Sequence, residues 1–274
     1  MAFGWWTLKE RRLLNAGSLG QPIFLLRFTC RADPHANWQA GDVAEILPCA
    51  HFSSDPDLGA DCEGFLRRHY PLVERRPVRD YSIASIPEDG TLDLVVRQIR
   101  KEDRSLGTVS GWLTKLVPCD CDVPLRIRRH ANFHQPPDRP LILIGNGTGI
   151  AGLRAHLREC RRRKQRNCWL IFGERQAETD ALFRDEIDAW LTDGTLARFD
   201  AAWSREGGSI RYVQHVVQQH AFAIKSWVHE GAAIMVCGSL DGMAPGVDLA
   251  LRAAIGSSEL DALATEGRYR RDVY

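Results

Sequence analysis

The chain has 274 residues, 44% hydrophobic and 26% charged, and its 36 Lys+Arg against 35 Asp+Glu leave a net charge of +1. That length supports about two domains, each able to bury its own core. The balanced charge supplies no field for a polyanion and argues against nucleic acid as a partner.

In the opening stretch, MAFGWWTLKERRLL, the charges follow the apolar residues, the reverse of a signal peptide. No apolar run approaches the roughly 20 residues that span a bilayer, so no membrane partner is expected and the chain is read as cytoplasmic. PIFLLRFTC (22 to 30), GDVAEILP (41 to 48), YSIAS (81 to 85) and LDLVVRQI (92 to 99) read as short strands separated by turn signals, which predicts an antiparallel barrel or sandwich. Between Pro48 and Arg79 lies a polar segment with room for one short helix, roughly Asp61 to His69, and too short for a domain of its own. Eight cysteines (30, 49, 62, 119, 121, 160, 168, 237) form no CxxC pair and no metal-ligand spacing, so reduced thiols and no metal site are expected. Cys119 and Cys121, beside Asp120, read as an exposed loop.

SLGTVSGWLTKLV (105 to 117) changes period and predicts a short helix with Trp112, Leu113, Leu116 and Val117 on its apolar face. Its start is compatible with a phosphate contact or with a serine N-cap on a packing helix. ANFHQPPDRP (131 to 140), with three prolines, reads as a linker. Beyond it LILIGNGTGIAGL (141 to 153) is a strand, a glycine turn and a helix start, suited to a pyrophosphate or to a tight structural turn, since GNGTG departs from GxGxxG. RRRK (161 to 164) reads as a solvated helix end. Strand and helix patterns then alternate to the C-terminus, predicting a doubly wound parallel sheet.

Several motifs occur together in order: Arg79-Asp-Tyr81-Ser82, Gly107-Thr-Val-Ser110, GNGTGIAGLRA (145 to 155), FGER (172 to 175), AWSRE (202 to 206), YVQ (212 to 214), VCGSLDGMAPGV (236 to 247) and RYRRDVY (268 to 274). As a set they resemble the ferredoxin–NADP+ reductase superfamily, and within it the FAD/NADPH modules of diflavin reductases of the sulfite reductase flavoprotein type. The resemblance implies an FAD-binding antiparallel β-barrel over 1–135 and an NADP-binding, Rossmann-like α/β domain over 136–274. It implies Arg79 at the FAD pyrophosphate, Tyr81 on the isoalloxazine, Ser82 at flavin N5, Arg97 at flavin or phosphate, and Gly107, Thr108 and Ser110 at the FAD phosphates. For NADPH it implies Gly147, Thr148 and Gly149 at the pyrophosphate, and Ser204, Arg205, Arg211, Tyr212 and Gln214 at the 2′-phosphate and adenine, with Asp241 also at the nucleotide. Ser82, Cys237 and Asp272 form the implied polar set around the reacting atoms, and Tyr274 the aromatic that covers the flavin.

Gly152 stands where the family usually has proline, Ile210 where relatives often have lysine, with Arg211 beside it as the substitute, and Gln98 where an aromatic is frequent. Glu174 gives a contrary hint of NAD, because an acid after the second strand often binds a ribose 2′-hydroxyl. The expected activity is NADPH-dependent reduction of FAD, followed by electron transfer to a protein acceptor such as a flavodoxin-like FMN domain, a ferredoxin or a haemoprotein. A ferredoxin or flavodoxin NAD(P)H reductase, an NAD(P)H oxidase and a non-enzymatic flavin-binding subunit are the alternatives. No FMN domain precedes the strands, so the acceptor is expected on a separate chain or an excised domain.

Overall fold

Short apolar runs place strands in both halves of the chain, and what separates the halves is the connection between strands. The computed structural model describes residues 2–33, 36–49, 61–69 and 78–274. The chain falls into two compact units, Met1–Leu14 with Gln21–His130, and Asn15–Gly20 with Ala131–Tyr274.

In the first unit turns join strands into an antiparallel sheet: β1 (Gly4–Leu13), β2 (Ile23–Cys30), β3 (Val43–Ile46), β4 (Arg79–Ser82), β5 (Leu92–Arg97) and β6 (Asp122–Arg128), in the order β4-β3-β6-β1-β2-β5. Its core is drawn from Leu8, Leu26, Phe28, Ile46, Leu94 and Leu125. The edge strands β4 and β5 meet at one isolated bridge, Ile83 to Leu94, and at the Ala84 N–H to Asp93 carbonyl bond of 2.8 Å. The sheet is therefore antiparallel, as expected, but among the described residues no continuous ladder closes it into a barrel.

Between Pro48 and Arg79 the described residues form one helix, α1 (Cys62–His69). The rest of the polar segment, 50–60 and 70–77, lies outside the described residues. The helix expected over 105–117 begins as α2 (Thr108–Gly111) and continues as a π-helical turn, Trp112–Leu116, closed by Val117 N–H to the Trp112 carbonyl at 2.9 Å. The wider turn rotates Leu116 out of the apolar face, so it is 56% exposed while Leu113 and Val117 are buried.

The second unit is a five-stranded parallel sheet of β7 (Leu141–Asn146), β8 (Cys168–Glu174), β9 (Leu196–Trp203), β10 (Ala233–Gly238) and β11 (Tyr269–Val273), in the order β11-β10-β7-β8-β9. Parallel neighbours require crossovers, and helices supply them: α3 (Ile150–Arg162), α4 (Ala177–Asp180) and α5 (Arg184–Asp193), α6 (Val213–Gln219) and α7 (Ala221–His229), α8 (Met243–Ile255) and α9 (Ser257–Thr265). Ile142, Ile144, Trp169, Ile171, Ile234 and Val236, alternate residues of three strands, pack with Val216, Val217, Val247 and Leu251. Chain order reverses between β7 and β10, and at such a switch point the strand ends open a crevice.

Two further features fix α3, the helix that starts at that crevice. Arg154 is fully buried, donates to both carboxylate oxygens of Glu186 on α5 at 3.0 and 2.8 Å, and lies over the Phe183 ring at 4.6 Å. The segment expected as a linker contributes a fully buried Phe133, whose ring meets His156 of α3 edge-on at 5.0 Å. Arg161 to Lys164 are exposed at the helix end.

Candidate nucleotide and flavin site

The crevice between β7 and β10 is built by three backbone segments. Gly147 turns the chain with φ of 57°, a left-handed value that glycine adopts without strain. Gly149 is required for a different reason, since a Cβ there would sit 2.1 Å from the Cys237 carbonyl oxygen; one on Gly145 would lie 2.5 Å from the same atom. The turn between β7 and α3 is thus pressed directly onto β10. Asn146, which the sequence reading passed over, ties the two together: its Oδ1 accepts the Ser239 N–H at 3.0 Å.

The third segment is the C-terminal one. Tyr274 would be expected to fray as a terminal residue, but β11 runs parallel to β10, the Tyr274 N–H donates to the Gly238 carbonyl at 3.1 Å, and its own carbonyl accepts the Leu240 N–H at 2.9 Å. The Tyr274 hydroxyl lies 3.3 Å from Thr148 Oγ1 in the glycine turn. One register step away, the buried Cys237 thiol lies 3.7 Å from Asp272 Oδ2. Thr148, Gly149, Cys237, Asp272 and Tyr274 therefore converge on one end of the sheet. Asp241 is exposed in the β10–α8 loop, where its carbonyl accepts from Ser239 Oγ at 2.6 Å.

Further along the same edge, the residues after β9 form a second group. Ser204 and Arg205 extend the pairing with β8, donating to the Glu174 and Arg175 carbonyls at 2.9 Å each. Arg211 donates from a guanidinium nitrogen to the Ser204 carbonyl at 3.2 Å and lies 5.9 Å from the Tyr212 ring, while Gln214 packs beside Gly246 of α8. Arg205, Arg211 and Tyr212 are exposed, whereas Glu174 is 8% exposed. A dianionic group would meet two cations here and no accessible acid from Glu174.

In the first unit, Arg79 is exposed on edge strand β4, Tyr81 half-buried and Ser82 buried. Burial pushes the Tyr81 phenol well above its ordinary value, partly offset by Arg79. Arg97, half-buried, ends the opposite edge strand, β5. Gly107 and Ser110 attach α2 to Ile99, two residues past β5: Gly107 N–H donates to the Ile99 carbonyl at 2.8 Å, and the Ile99 N–H to Ser110 Oγ at 3.2 Å. Ser110 lies inside α2 and is not its N-cap, a position held by Gly107; Thr108 is exposed beside it. Gln98, at the position where an aromatic is frequent, is buried and donates to Thr114 Oγ1 at 2.9 Å, which removes it from the surface.

Among the described residues no group of three or more His, Cys, Asp or Glu is placed to hold a metal, and no helix is long and apolar enough to cross a membrane. None of the eight cysteines is in a disulfide.

Residues 143–248 match the family model of the oxidoreductase NAD-binding domain. The chain is 36% identical over 215 residues to the sulfite reductase [NADPH] flavoprotein alpha-component of Mannheimia succiniciproducens, covering 72% of this chain and 36% of that one. The proteins of the same name from Neisseria meningitidis serogroup B and Yersinia enterocolitica are 34% and 35% identical, over 77% and 80% of this chain and 37% and 38% of theirs. Both matches agree with the resemblance to the ferredoxin–NADP+ reductase superfamily that the motifs carry. It spans a little over a third of the length of these curated relatives.

Two departures from the superfamily pattern have local reasons. A Cβ on Gly152 would lie 3.0 Å from Phe133 Cε1 and 3.3 Å from Cys237 Sγ, so the room that the family's proline occupies is taken by Phe133. Ile210 is half-buried against the α6–α8 core, and the exposed cation of this loop is Arg211 instead.

Proposed function

We propose that the chain catalyses hydride transfer from NADPH to a bound FAD and delivers the electrons singly to a protein acceptor. The observation that carries this reading is the convergence of Thr148, Cys237, Asp272 and Tyr274 on the switch point of a parallel sheet. The first domain, 1–135, is proposed as a barrel-like FAD site and the second, 136–274, as the NADP(H) site. FAD supplies the hydride acceptance and one-electron release that no side chain provides.

The protein's own residues bind and polarise. Arg79 suits a pyrophosphate, which a guanidinium can grip with two parallel bonds, and Arg97, Gly107, Thr108 and Ser110 are proposed beside it. Tyr81 offers an aromatic face to the flavin ring, and the Ser82 hydroxyl a proton toward N5. Gly147, Thr148 and Gly149 present backbone N–H groups to the nicotinamide-side pyrophosphate. Asp272 places a carboxylate, with Cys237 beneath it, where positive charge develops on a nicotinamide giving up hydride. Arg205 and Arg211, with Ser204, Tyr212, Gln214 and Asp241, are proposed to select NADPH, because charge-assisted donors suit a dianionic 2′-phosphate. Buried Glu174 offers no competing claim for NADH. Tyr274 would supply the aromatic ring that covers the flavin in the resemblance.

The relatives are named as flavoprotein components of an NADPH sulfite reductase, and the same role toward a haemoprotein is one proposal for this chain's acceptor. A flavodoxin-like FMN domain or a ferredoxin is the alternative acceptor, and a cytoplasmic location suits all three. The test is an anaerobic titration of the purified protein, following flavin absorbance as NADPH or NADH is added. Stoichiometric bleaching at much lower NADPH than NADH supports the reading. Equal bleaching refutes the NADPH assignment, and a protein that binds no flavin refutes the oxidoreductase reading.

A further inference from the structure

Just past the loop that follows β9 is a side chain that no motif singled out. His215 lies in the first turn of α6, four residues after Arg211, and its Nδ1 accepts the Arg211 backbone N–H at 3.3 Å. Its own backbone N–H donates to the Tyr212 carbonyl at 2.9 Å, so chain and ring close the start of the helix from both sides. Tyr212 has no side-chain cap bond of its own, and its ring centre lies 5.5 Å from the imidazole and 5.9 Å from the Arg211 guanidinium.

Arg211 is thereby held at two points. His215 fixes its backbone, and the Ser204 carbonyl takes one of its guanidinium N–H groups at 3.2 Å. A guanidinium has five such donors, so this contact orients the fork and leaves the remainder for an anion. Residues 205–209 are all exposed, and Ile210 anchors the chain on the α6–α8 core one residue before Arg211, so the Arg211 side chain itself is oriented by these two polar contacts. Side-chain entropy would otherwise disperse a long cation on such a loop.

We propose that His215 is a positioning residue for recognition of a nucleotide 2′-phosphate, acting through the backbone of Arg211. The inference rests on the NADPH reading above and adds the element that makes the arginine selective. A neutral ring with its proton on Nε2 is required, since Nδ1 must accept.

The test uses the full chain and two fragments, 2′,5′-ADP and 5′-AMP, titrated by calorimetry, so that no flavin turnover is needed. Wild-type protein is expected to prefer 2′,5′-ADP. His215→Leu, which removes the acceptor, is expected to weaken 2′,5′-ADP about fivefold, the value of one neutral hydrogen bond, and to leave 5′-AMP unchanged. His215→Asn places an amide oxygen near the Nδ1 position and is expected to restore the preference. His215→Leu with the full preference intact, or with both fragments weakened alike, overturns the proposal. Wild-type protein that binds the two fragments equally overturns the 2′-phosphate reading itself, a separate outcome.

Discussion

His156 makes α3, the helix after the glycine turn, sensitive to acid. The side chain is fully buried on α3, one turn after Gly152, and burial pushes its pKa down to about 3. His134 and Arg270 push in the same direction, against a bond to the Phe133 backbone and the charge of Glu159. Nδ1 lies 3.2 Å from Gln135 Oε1. An unfolded histidine titrates near ~6.5, so the stabilisation from keeping this ring neutral is complete above that value and is lost as pH falls toward the folded pKa. Between pH 7 and pH 5 the loss amounts to roughly 2 kcal/mol, taking about 1.4 kcal/mol for each of the ~1.5 pH units below the unfolded value. The assay is urea unfolding at the two pH values for wild type and for His156→Gln, which cannot titrate. The variant is expected to be less stable than wild type at pH 7, yet to lose about 2 kcal/mol less on acidification. An identical loss in both proteins would refute the argument, because the other carboxylates and histidines are common to both.

Gly149→Ala is expected to cost about 3 kcal/mol, the upper end for overpacking, because the contacts at 2.1 and 2.5 Å are to backbone atoms that cannot swing away. Thermal unfolding would show a midpoint lower by several degrees, with nucleotide binding lost in parallel; an unshifted midpoint would contradict the contact. Tyr274→Ala removes the hydroxyl 3.3 Å from Thr148 and the ring proposed to cover the flavin. Steady-state kinetics with both nucleotides should show NADH use rising and the NADPH preference falling, and unchanged constants for both would remove Tyr274 from the site.

What the sequence revealed depended on whether a residue's partner was near it in the chain. β2 and β5 were legible because each holds a run of consecutive apolar residues, Ile23 to Leu26 and Leu94 to Val96. β1 was missed because the register shifts between Leu8 and Glu10, which breaks the alternation just where Lys9, Glu10, Arg11 and Arg12 cluster. β6 was missed because Pro124 argues against a central strand, yet it lies opposite Trp5 between β3 and β1, and its carbonyl accepts the Leu47 N–H at 3.2 Å. β11 carries three charges in five residues and gains its place from β10, which pairs with it along its whole length. The glycine turn stood out, but the two uses of its glycines did not, since the Cys237 carbonyl is 88 positions from Gly149 in the chain. Asn146 and His215 offered a weaker signal: a polar residue inside a glycine turn and a histidine directly after YVQ. Burial of Gln98 and filling of the Gly152 space by Phe133 could be seen only with the fold in hand.

The carbonyl of Cys237, 2.5 and 2.1 Å from where methyl groups on Gly145 and Gly149 would sit, gives the two ends of the proposed dinucleotide groove different evolutionary prospects. At the pyrophosphate end, substitutions are screened by folding before any nucleotide is present, and that turn stays fixed whichever nucleotide the protein uses. Along the exposed stretch from Arg205 to Ser209, Gly207 and Gly208 hold left-handed φ values and Glu206 accepts the Ala177 N–H, but the side chains of Arg205 and Ser209 carry no such load, and substitutions at those two positions reach selection through binding alone. A lineage adapting to the other nicotinamide nucleotide has its cheapest mutational route through those two positions, and an engineer seeking the same change would build the library there.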